Sequence, residues 1–308
     1  MEDGAIWKKI TIEGDAGRVD AWLAKMFHQF SRRSAQAYVE QRNVRVNGRG
    51  VGKSYQLQPG DTVELAREPA GRNWRPMPNP EIPLDVVYED ESLIVVNKPW
   101  QMPSCANQPD DTETLANAIV ARYPECSSIG VHNGDAGLLH RLDNDTSGLL
   151  IAARNVRAYK ALRSMQENKQ IEKRYLALVS RRTDESLDVP VIISVPLDAK
   201  NKGGKKMAVK KGGQRAVTHI EEATPMGDFL LVKVLIYKGV RHQIRVHLAQ
   251  RGFPICGDVL YEGPAAPQLN RLFLHAAGLR FFHPLTAAPV EWFAPLPDPL
   301  QTVISSLT

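Results

Sequence analysis

An α+β protein of two domains fits three features of this sequence. Period-two strand patterns run from Phe229 to Tyr237 and from Leu279 to Phe282. The apolar run Leu149 to Ala153 has the length and flanking residues of a buried strand. Between about Gly17 and Arg67, two short helical patterns precede short strands, which reads as a unit of its own. Periodicity by itself does not choose a sheet topology. The expected division is an N-terminal extension over 1–16, a small domain over 17–67, a linker over 68–83 and a large domain over 84–308.

In the small domain, Val19, Trp22, Leu23, Met26 and Phe27 fall at helical spacing and predict a first amphipathic helix. Ser31 is the expected N-cap of a second, with Ala35, Tyr38 and Val39 inward and Arg32 and Arg33 pointing elsewhere. Asn43 tolerates a left-handed turn before a short strand Val44 to Val46, and Asn47-Gly48 turns the chain again. Pro59-Gly60-Asp61 then precedes Thr62 to Leu65. On charge alone, Arg32, Arg33, Arg42, Arg45 and Lys53 read as a solvated face. Pro69, Pro76, Pro78, Pro80 and Pro83 interrupt periodic structure and predict a semi-extended linker.

In the large domain, the strand Leu93 to Val96 runs into Asn97-Lys98-Pro99. The run His140-Arg141-Leu142-Asp143-Asn144-Asp145-Thr146-Ser147-Gly148 leads into Leu149 to Ala153, with Thr146-Ser147-Gly148 as the expected turn. Asp143 is thereby set on a loop fixed by a rigid element. The composition of that loop by itself favours an Asx-type turn, with Asp143 and Asp145 bonding local backbone groups and Arg141 in an exposed ion pair. Tyr175 reads as a core residue of the strand Tyr175 to Val179. Lys200 to Arg215, with Lys205, Lys206 and two glycine pairs, reads as an exposed loop or as a mobile arm that touches phosphates. Gly239 marks a strand-to-helix turn, after which helical spacing places Arg241 and Arg245 on one face. His242 and His247 stand five apart with no acidic or cysteine ligand close by in sequence, which fits no zinc-helix motif.

Composition excludes several classes. A chain of 308 residues, 43% hydrophobic, is long enough for a sizeable core and an accessory domain. Net charge +5 is modest for a nucleic-acid binder, so the distribution of charge matters more than its sum. Cys105, Cys126 and Cys256 stand far apart, which argues against a disulfide framework or zinc ribbon and for a reducing cytoplasm. Met1 to Ile10 lacks a signal-peptide core, and no apolar stretch reaches 18 residues, so a soluble protein without a membrane partner is expected. No glycine-rich phosphate loop, dinucleotide fingerprint or metal cluster is evident, so neither cofactor nor metal is expected.

The run from His140 resembles the signature His-Arg-Leu-Asp-x-x-Thr-Ser-Gly of the RluA-type RNA pseudouridine synthases, and the resemblance extends from about residue 83 onward. It implies that Asp143, and not Asp145, is the catalytic residue. Lys173-Arg174-Tyr175-Leu176-Ala177 matches the family segment whose tyrosine stacks on the target uracil, giving Tyr175 that role. The segment Lys238 to Leu248 corresponds to one that supplies an arginine to the catalytic aspartate, with Arg245 the first choice and Arg241 the second. An arginine so placed favours the ionised carboxylate. Leu274, in Leu272 to Ala276, is the residue that closes the uracil pocket opposite the tyrosine, and Arg141 helps hold the displaced RNA. The implied fold is the family's mixed, largely antiparallel sheet with a cleft across it.

Residues 17–67 resemble the small RNA-binding domain named after a small-subunit ribosomal protein, recognisable at Val46-Asn47-Gly48 and Gly60-Asp61. This turns the charged face into RNA contacts. The implied activity is isomerisation of uridine to pseudouridine in ribosomal or transfer RNA by a monomer. Trp100 to Cys105 and Asn144 depart from the family pattern and bear on which RNA is gripped. Two other readings stand beside this one: an RNA-binding or ribosome-assembly factor that has kept the fold, and a hydrolase pairing Asp143 with Asp145 or Asp135.

Overall fold

In the computed structural model, the described residues are 6–307 apart from 28, 29, 31, 69–73, 182–186, 202, 203 and 205. Ser31 and Lys205 lie outside them, as does the side chain of Arg33. The chain divides into two compact units, Met1–Arg75 with Gln108–Asp110, and Pro76–Asn107 with Asp111–Thr308.

The smaller unit packs helices Val19–Met26 and Arg32–Glu40 with a four-stranded sheet ordered Lys8–Thr11, Thr62–Leu65, Val44–Val46, Arg49–Gly50. Its core gathers Val19, Trp22, Leu23, Phe27, Ala35, Tyr38, Val39, Val44, Val46, Val63 and Leu65, so the helical and strand periods read from the sequence mark its inward faces. Three details differ from expectation. Lys8–Thr11 pairs with Thr62–Leu65, so residues within 1–16 complete this sheet instead of forming an extension. Met26, at the helix end, is exposed. The left-handed residue before the strand is Arg42, not Asn43.

The larger unit is built on one long sheet. Its strands run in the order Met207–Val209, Val191–Ala199, Gln214–Met226, Phe229–Ile236, Glu172–Ser180, Leu274–Phe282, Ser147–Ala153, Leu93–Lys98, Val86–Glu89, with Pro289–Phe293 also on Leu274–Phe282. Every pairing is antiparallel except that of His275 and Ala276 with Ser147 and Gly148. The sheet is therefore mixed and largely antiparallel.

Alternation assigns the two faces. Ile94, Val96, Leu150, Ala152, Tyr175 and Ala177 pack with helices Leu115–Arg122, Gln243–Gln250 and Asp298–Leu307, while Leu93, Val95, Leu149 and Ile151 pack with helix Val156–Glu167. Covered on both sides, the central strands read as unbroken apolar runs. Each fully buried leucine there stabilises by about 1.5–3 kcal/mol.

The Ser147–Ala153 strand begins earlier than its sequence suggests, since Ser147 and Gly148 already belong to it and the turn falls at Asn144 and Asp145. Gly148 has φ +119°, and a Cβ there would meet the Ala276 carbonyl oxygen at 2.3 Å. Only glycine lets the parallel pair close at this point. Part of the proline-rich segment is tied down: Asn117 donates to the Met77 carbonyl at 2.7 Å and Asn79 to that of Thr112 at 2.9 Å. The described residues of Lys200 to Arg215 also depart from an open loop, because Met207–Val209 and the residues from Gln214 on pair with Val191–Ala199.

Candidate active site

Backbone holds come first. The Leu142 N–H donates to Ser104 Oγ at 3.0 Å, and the serine hydroxyl donates back to the Leu142 carbonyl at 2.9 Å. Just beyond Asp143, Lys98 Nζ donates to the Asn144 carbonyl at 3.3 Å and to those of Pro99 and Met102 at 2.8 Å. Arg271 donates to the Asp145 carbonyl at 3.2 Å and to Ser147 Oγ at 2.9 Å, and its guanidinium lies 5.0 Å from the Trp100 ring. Ser147 Oγ in turn meets His275 Nδ1 at 2.9 Å. The loop is thus fixed from beneath by buried groups, and the Asp143 carboxylate keeps 22% exposure.

Arg245 reaches that carboxylate with Nη1, 3.0 Å from Oδ2. Two further donors go to Asp258, Nε to Oδ2 at 2.7 Å and Nη2 to Oδ1 at 2.8 Å. This fork fixes the guanidinium plane, and with it the direction of the Nη1–H that meets Asp143. Burial works against the charged arginine, but the hydrogen bonds and charges of Asp258 and then Asp143 outweigh it and hold Arg245 above its ordinary value. Asp258 is fully buried, and its Oδ1 also accepts the Tyr261 N–H at 3.2 Å.

Tyr175 is 6% exposed on Glu172–Ser180, and burial, followed by the Asp143 charge, pushes its hydroxyl upward. It pairs across to Ala276, while Ala177 pairs with Leu274, so Tyr175 and the buried Leu274 are diagonal neighbours on one face. His242 stands at the lip, with Nε2 3.8 Å from Asp143 Oδ2.

Several buried bases surround the loop. Lys98 is brought down to about 7 by burial and by the Arg271 charge, against the pull of Asp143 and Asp145. Burial lowers Arg271 to about 10 and His275 to about 4.

The structure brings Asp143, Arg245 and Tyr175 together. Helix Gln243–Gln250 starts only after His242, whose φ of 56° is left-handed, so Arg241 precedes the helix, is exposed and shares no helical face with Arg245. Arg141 is exposed beside the loop. In the smaller unit Arg32, Arg42 and Arg45 are exposed, with Arg32 Nε 3.9 Å from Asp20, and Lys53 bonds Glu40 at 2.5 Å. Lys206 is half-buried, 3.8 Å from Glu262 and 5.3 Å from the Tyr261 ring.

Asp258, Arg271 and His275 escaped the sequence reading, because nothing in the spacing of 13 residues between Arg245 and Asp258 signals a contact. Among the described residues no group of three or more histidine, cysteine or acidic side chains could hold a metal ion. Among them, too, no helix is long and apolar enough to cross a membrane.

Comparison with known proteins bears on this geometry. A family model described as RNA pseudouridylate synthase matches residues 92–250, and one described as S4 domain matches residues 17–63. The chain is 36% identical over 300 residues to "Uncharacterized RNA pseudouridine synthase YlyB" of Bacillus subtilis, covering 96% of this chain and 95% of that one. It is 32% identical over 327 residues to "Ribosomal large subunit pseudouridine synthase D" of Xanthomonas campestris pv. campestris, covering 99% and 93%. Among solved structures, "Human RNA Pseudouridylate Synthase Domain Containing 1" superposes with a TM-score of 0.52 at 26% identity, over 75% of this chain and 87% of that one.

Proposed function

The chain belongs to the RNA pseudouridylate synthase family and carries an S4 domain, and from that premise we propose that Asp143 starts the conversion of a ribosomal RNA uridine to pseudouridine. The observation that carries this role is the Asp143–Arg245–Asp258 arrangement: a part-exposed carboxylate aimed by an arginine whose own direction is fixed by a buried one.

The uridine first leaves the RNA stack, at a cost of roughly a few kcal/mol that is smallest for unpaired targets. Its base enters beside Tyr175, whose ring supplies a stacking face, with Leu274 on the pocket wall. Asp143, acting on the sugar as nucleophile or base, breaks the bond between the ribose and N1. The freed uracil turns in place and rejoins through C5, which loses its proton while N1 gains one, so atoms balance without an outside reactant. Arg141 and Arg241, exposed near the loop and ahead of the helix, hold the displaced strand.

Ribosomal RNA is favoured over transfer RNA because several similar proteins are named as large-subunit ribosomal enzymes. Arg32, Arg33, Arg42, Arg45 and Lys53 of the smaller unit, with Lys205 and Lys206, contact phosphates of that RNA. The enzyme acts as a monomer in the cytoplasm. Support for that compartment comes from Cys105, Cys126 and Cys256, which are free thiols, the state that a reducing environment maintains.

The test is deletion of the gene, mapping of pseudouridine across ribosomal and transfer RNA by chemical labelling, and complementation with the intact protein or Asp143→Ala. A ribosomal site that disappears and returns only with the intact protein is the expected result. A transfer RNA site would correct the substrate, and restoration by Asp143→Ala would remove Asp143 from its role.

A further inference from the structure

His242 is unused by the scheme above, yet three independent features set it apart. The first is its backbone. It holds a left-handed conformation, φ 56° and ψ 18°, at the start of helix Gln243–Gln250, while its carbonyl accepts the Val246 N–H at 3.0 Å. Non-glycine residues in this region are few, histidine is among those enriched there, and such strain concentrates at functional positions. With ordinary helical angles the side chain would leave from a different face of the turn.

The second feature is a directed chain of hydrogen bonds. The Met207 N–H donates to the Tyr261 hydroxyl oxygen at 2.8 Å. That oxygen lies 2.9 Å from His242 Nδ1, and His242 is the partner left for the hydroxyl proton among the described residues. Assigning Tyr261 as the donor to Nδ1 leaves the imidazole its own proton on Nε2.

The third feature is where Nε2 points. It faces Asp143 Oδ2 at 3.8 Å, and the histidine side chain is only 10% exposed. That gap exceeds a hydrogen bond by about 1 Å, and such contacts commonly tighten when substrate arrives.

Resting on the functional reading above, we propose that His242 is a positioning residue for Asp143. Its Nε2–H, fixed in that tautomer by Tyr261 and Met207, is a second hold on the carboxylate beside Arg245. Arg245 constrains Oδ2 from the helix and His242 from the helix entry, so the other oxygen, Oδ1, is the one directed at the nucleotide. The same arrangement makes the hold dependent on pH. Five charged or titratable groups face the imidazole: Asp143 from its loop, Asp258 and Tyr261 from the turn beyond the helix, and Arg241 and Arg245 from its own segment. Burial, then the two arginines, outweigh the two carboxylates and keep His242 below its ordinary value of 6.5. A neutral donor is therefore in place at neutral pH. Below that lowered range the imidazolium forms an ion pair with Asp143 and draws the carboxylate off the nucleotide.

The experiment uses the full chain and total RNA labelled with [5-³H]uridine in cells lacking the gene, because rearrangement to C5 releases the label as water. Saturating rate, half-saturating RNA concentration and melting temperature are measured for wild type, Asp143→Asn, His242→Gln, His242→Leu and Tyr261→Phe between pH 5.5 and 8.5. Gln offers an N–H near the place of Nε2 without titrating, and Leu offers none. Both bear the same backbone strain.

We expect His242→Leu to lose about tenfold or more in saturating rate with half-saturation changed by less than about threefold. His242→Gln should recover to within about threefold at pH 7.5 and lose the acid limb that wild type shows below pH 6.5. Tyr261→Phe, which frees the tautomer, should fall between them. The proposal is overturned if His242→Leu matches wild type, if Gln rescues no better than Leu, or if the acid limb is unchanged in His242→Gln. Should His242→Leu melt below the assay temperature, the acid limb of His242→Gln and the rate of Tyr261→Phe decide the matter. Activity that survives in Asp143→Asn defeats the functional reading itself, whereas an inactive Asp143→Asn beside a fully active His242→Leu defeats only the role of His242.

Discussion

Asp258→Ala is the perturbation whose outcome follows most directly from the geometry. Asp258 is fully buried and makes two of the three side-chain bonds of Arg245, itself 8% exposed. Truncation leaves a buried guanidinium with Asp143 as its remaining carboxylate partner among the described residues, and breaking a buried ion pair from one side costs about 3–5 kcal/mol. The Tyr261 N–H loses its acceptor in the same step. At about 2–4 °C per kcal/mol for a unit of this size, the larger unit should melt about 6–20 °C lower. Asp143→Asn should cost less than about 1 kcal/mol, because that carboxylate is partly solvated and Arg245 keeps both bonds to Asp258. Removing both buried charges in Arg245→Met with Asp258→Ala should recover much of the loss, since no unpaired charge is left inside. Urea unfolding followed by tryptophan fluorescence, with calorimetry in parallel, measures all three. An Asp258→Ala variant within about 1 kcal/mol of wild type, or a double variant no more stable than Asp258→Ala alone, would rule out this role for the buried pair.

Three further outcomes are expected. Gly148→Ala combines a φ of +119° with a 2.3 Å approach to the Ala276 carbonyl oxygen, so it should destabilise by more than about 3 kcal/mol and express mainly as insoluble protein, read by solubility and urea midpoint. Lys173 is fully buried and burial lowers it from 10.5 to about 7, so the unfolded chain binds more protons between those values and stability should rise with pH across that window. Lys173→Met should flatten the rise by on the order of a few kcal/mol, and an unaltered slope would count against the burial penalty. Arg42→Ala with Arg45→Ala should weaken RNA binding and reduce its dependence on log salt by about one unit per lost phosphate contact, while leaving the saturating rate unchanged.

What the sequence made legible is what depends on local periodicity. Leu149 to Ala153 announces a buried strand because both its faces are covered, and Val44 and Val46 alternate with the exposed Arg45 because one face is. Asp143, Tyr175 and Arg245 lie in segments long enough to carry a recognisable pattern. Arg241 was misplaced because a left-handed residue delays the helix by two positions, and helical spacing cannot foresee a strained φ at His242. Asp258 was invisible for a different reason. Its partner is fixed by tertiary packing across a turn, and a lone aspartate after a glycine carries no signal of burial. The same holds for Lys98, whose fully buried ammonium meets three carbonyls, the farthest of them 46 residues along the chain at Asn144.

The holds on Asp143 divide between two kinds of group, and the division has a functional consequence. Its backbone neighbours are gripped by Ser104, Lys98 and Arg271, which bond Leu142, Asn144 and Asp145 in turn, whereas its side chain is gripped by Arg245. All four holders are more buried than the carboxylate they restrain. Burial strengthens each contact, since fewer water molecules compete, and it keeps the RNA from reaching the holders directly. Substitutions at Ser104, Lys98, Arg271 or Asp258 should therefore act on the chemical step by misplacing Asp143, and little on RNA affinity. The exposed arginines of the smaller unit should do the reverse. A carboxylate held by Arg245, on a loop whose backbone is held at three points, can face an irregular, highly charged RNA without being pulled out of line by it. This requirement accounts for why so many buried polar groups, each costly in isolation, gather under a single loop.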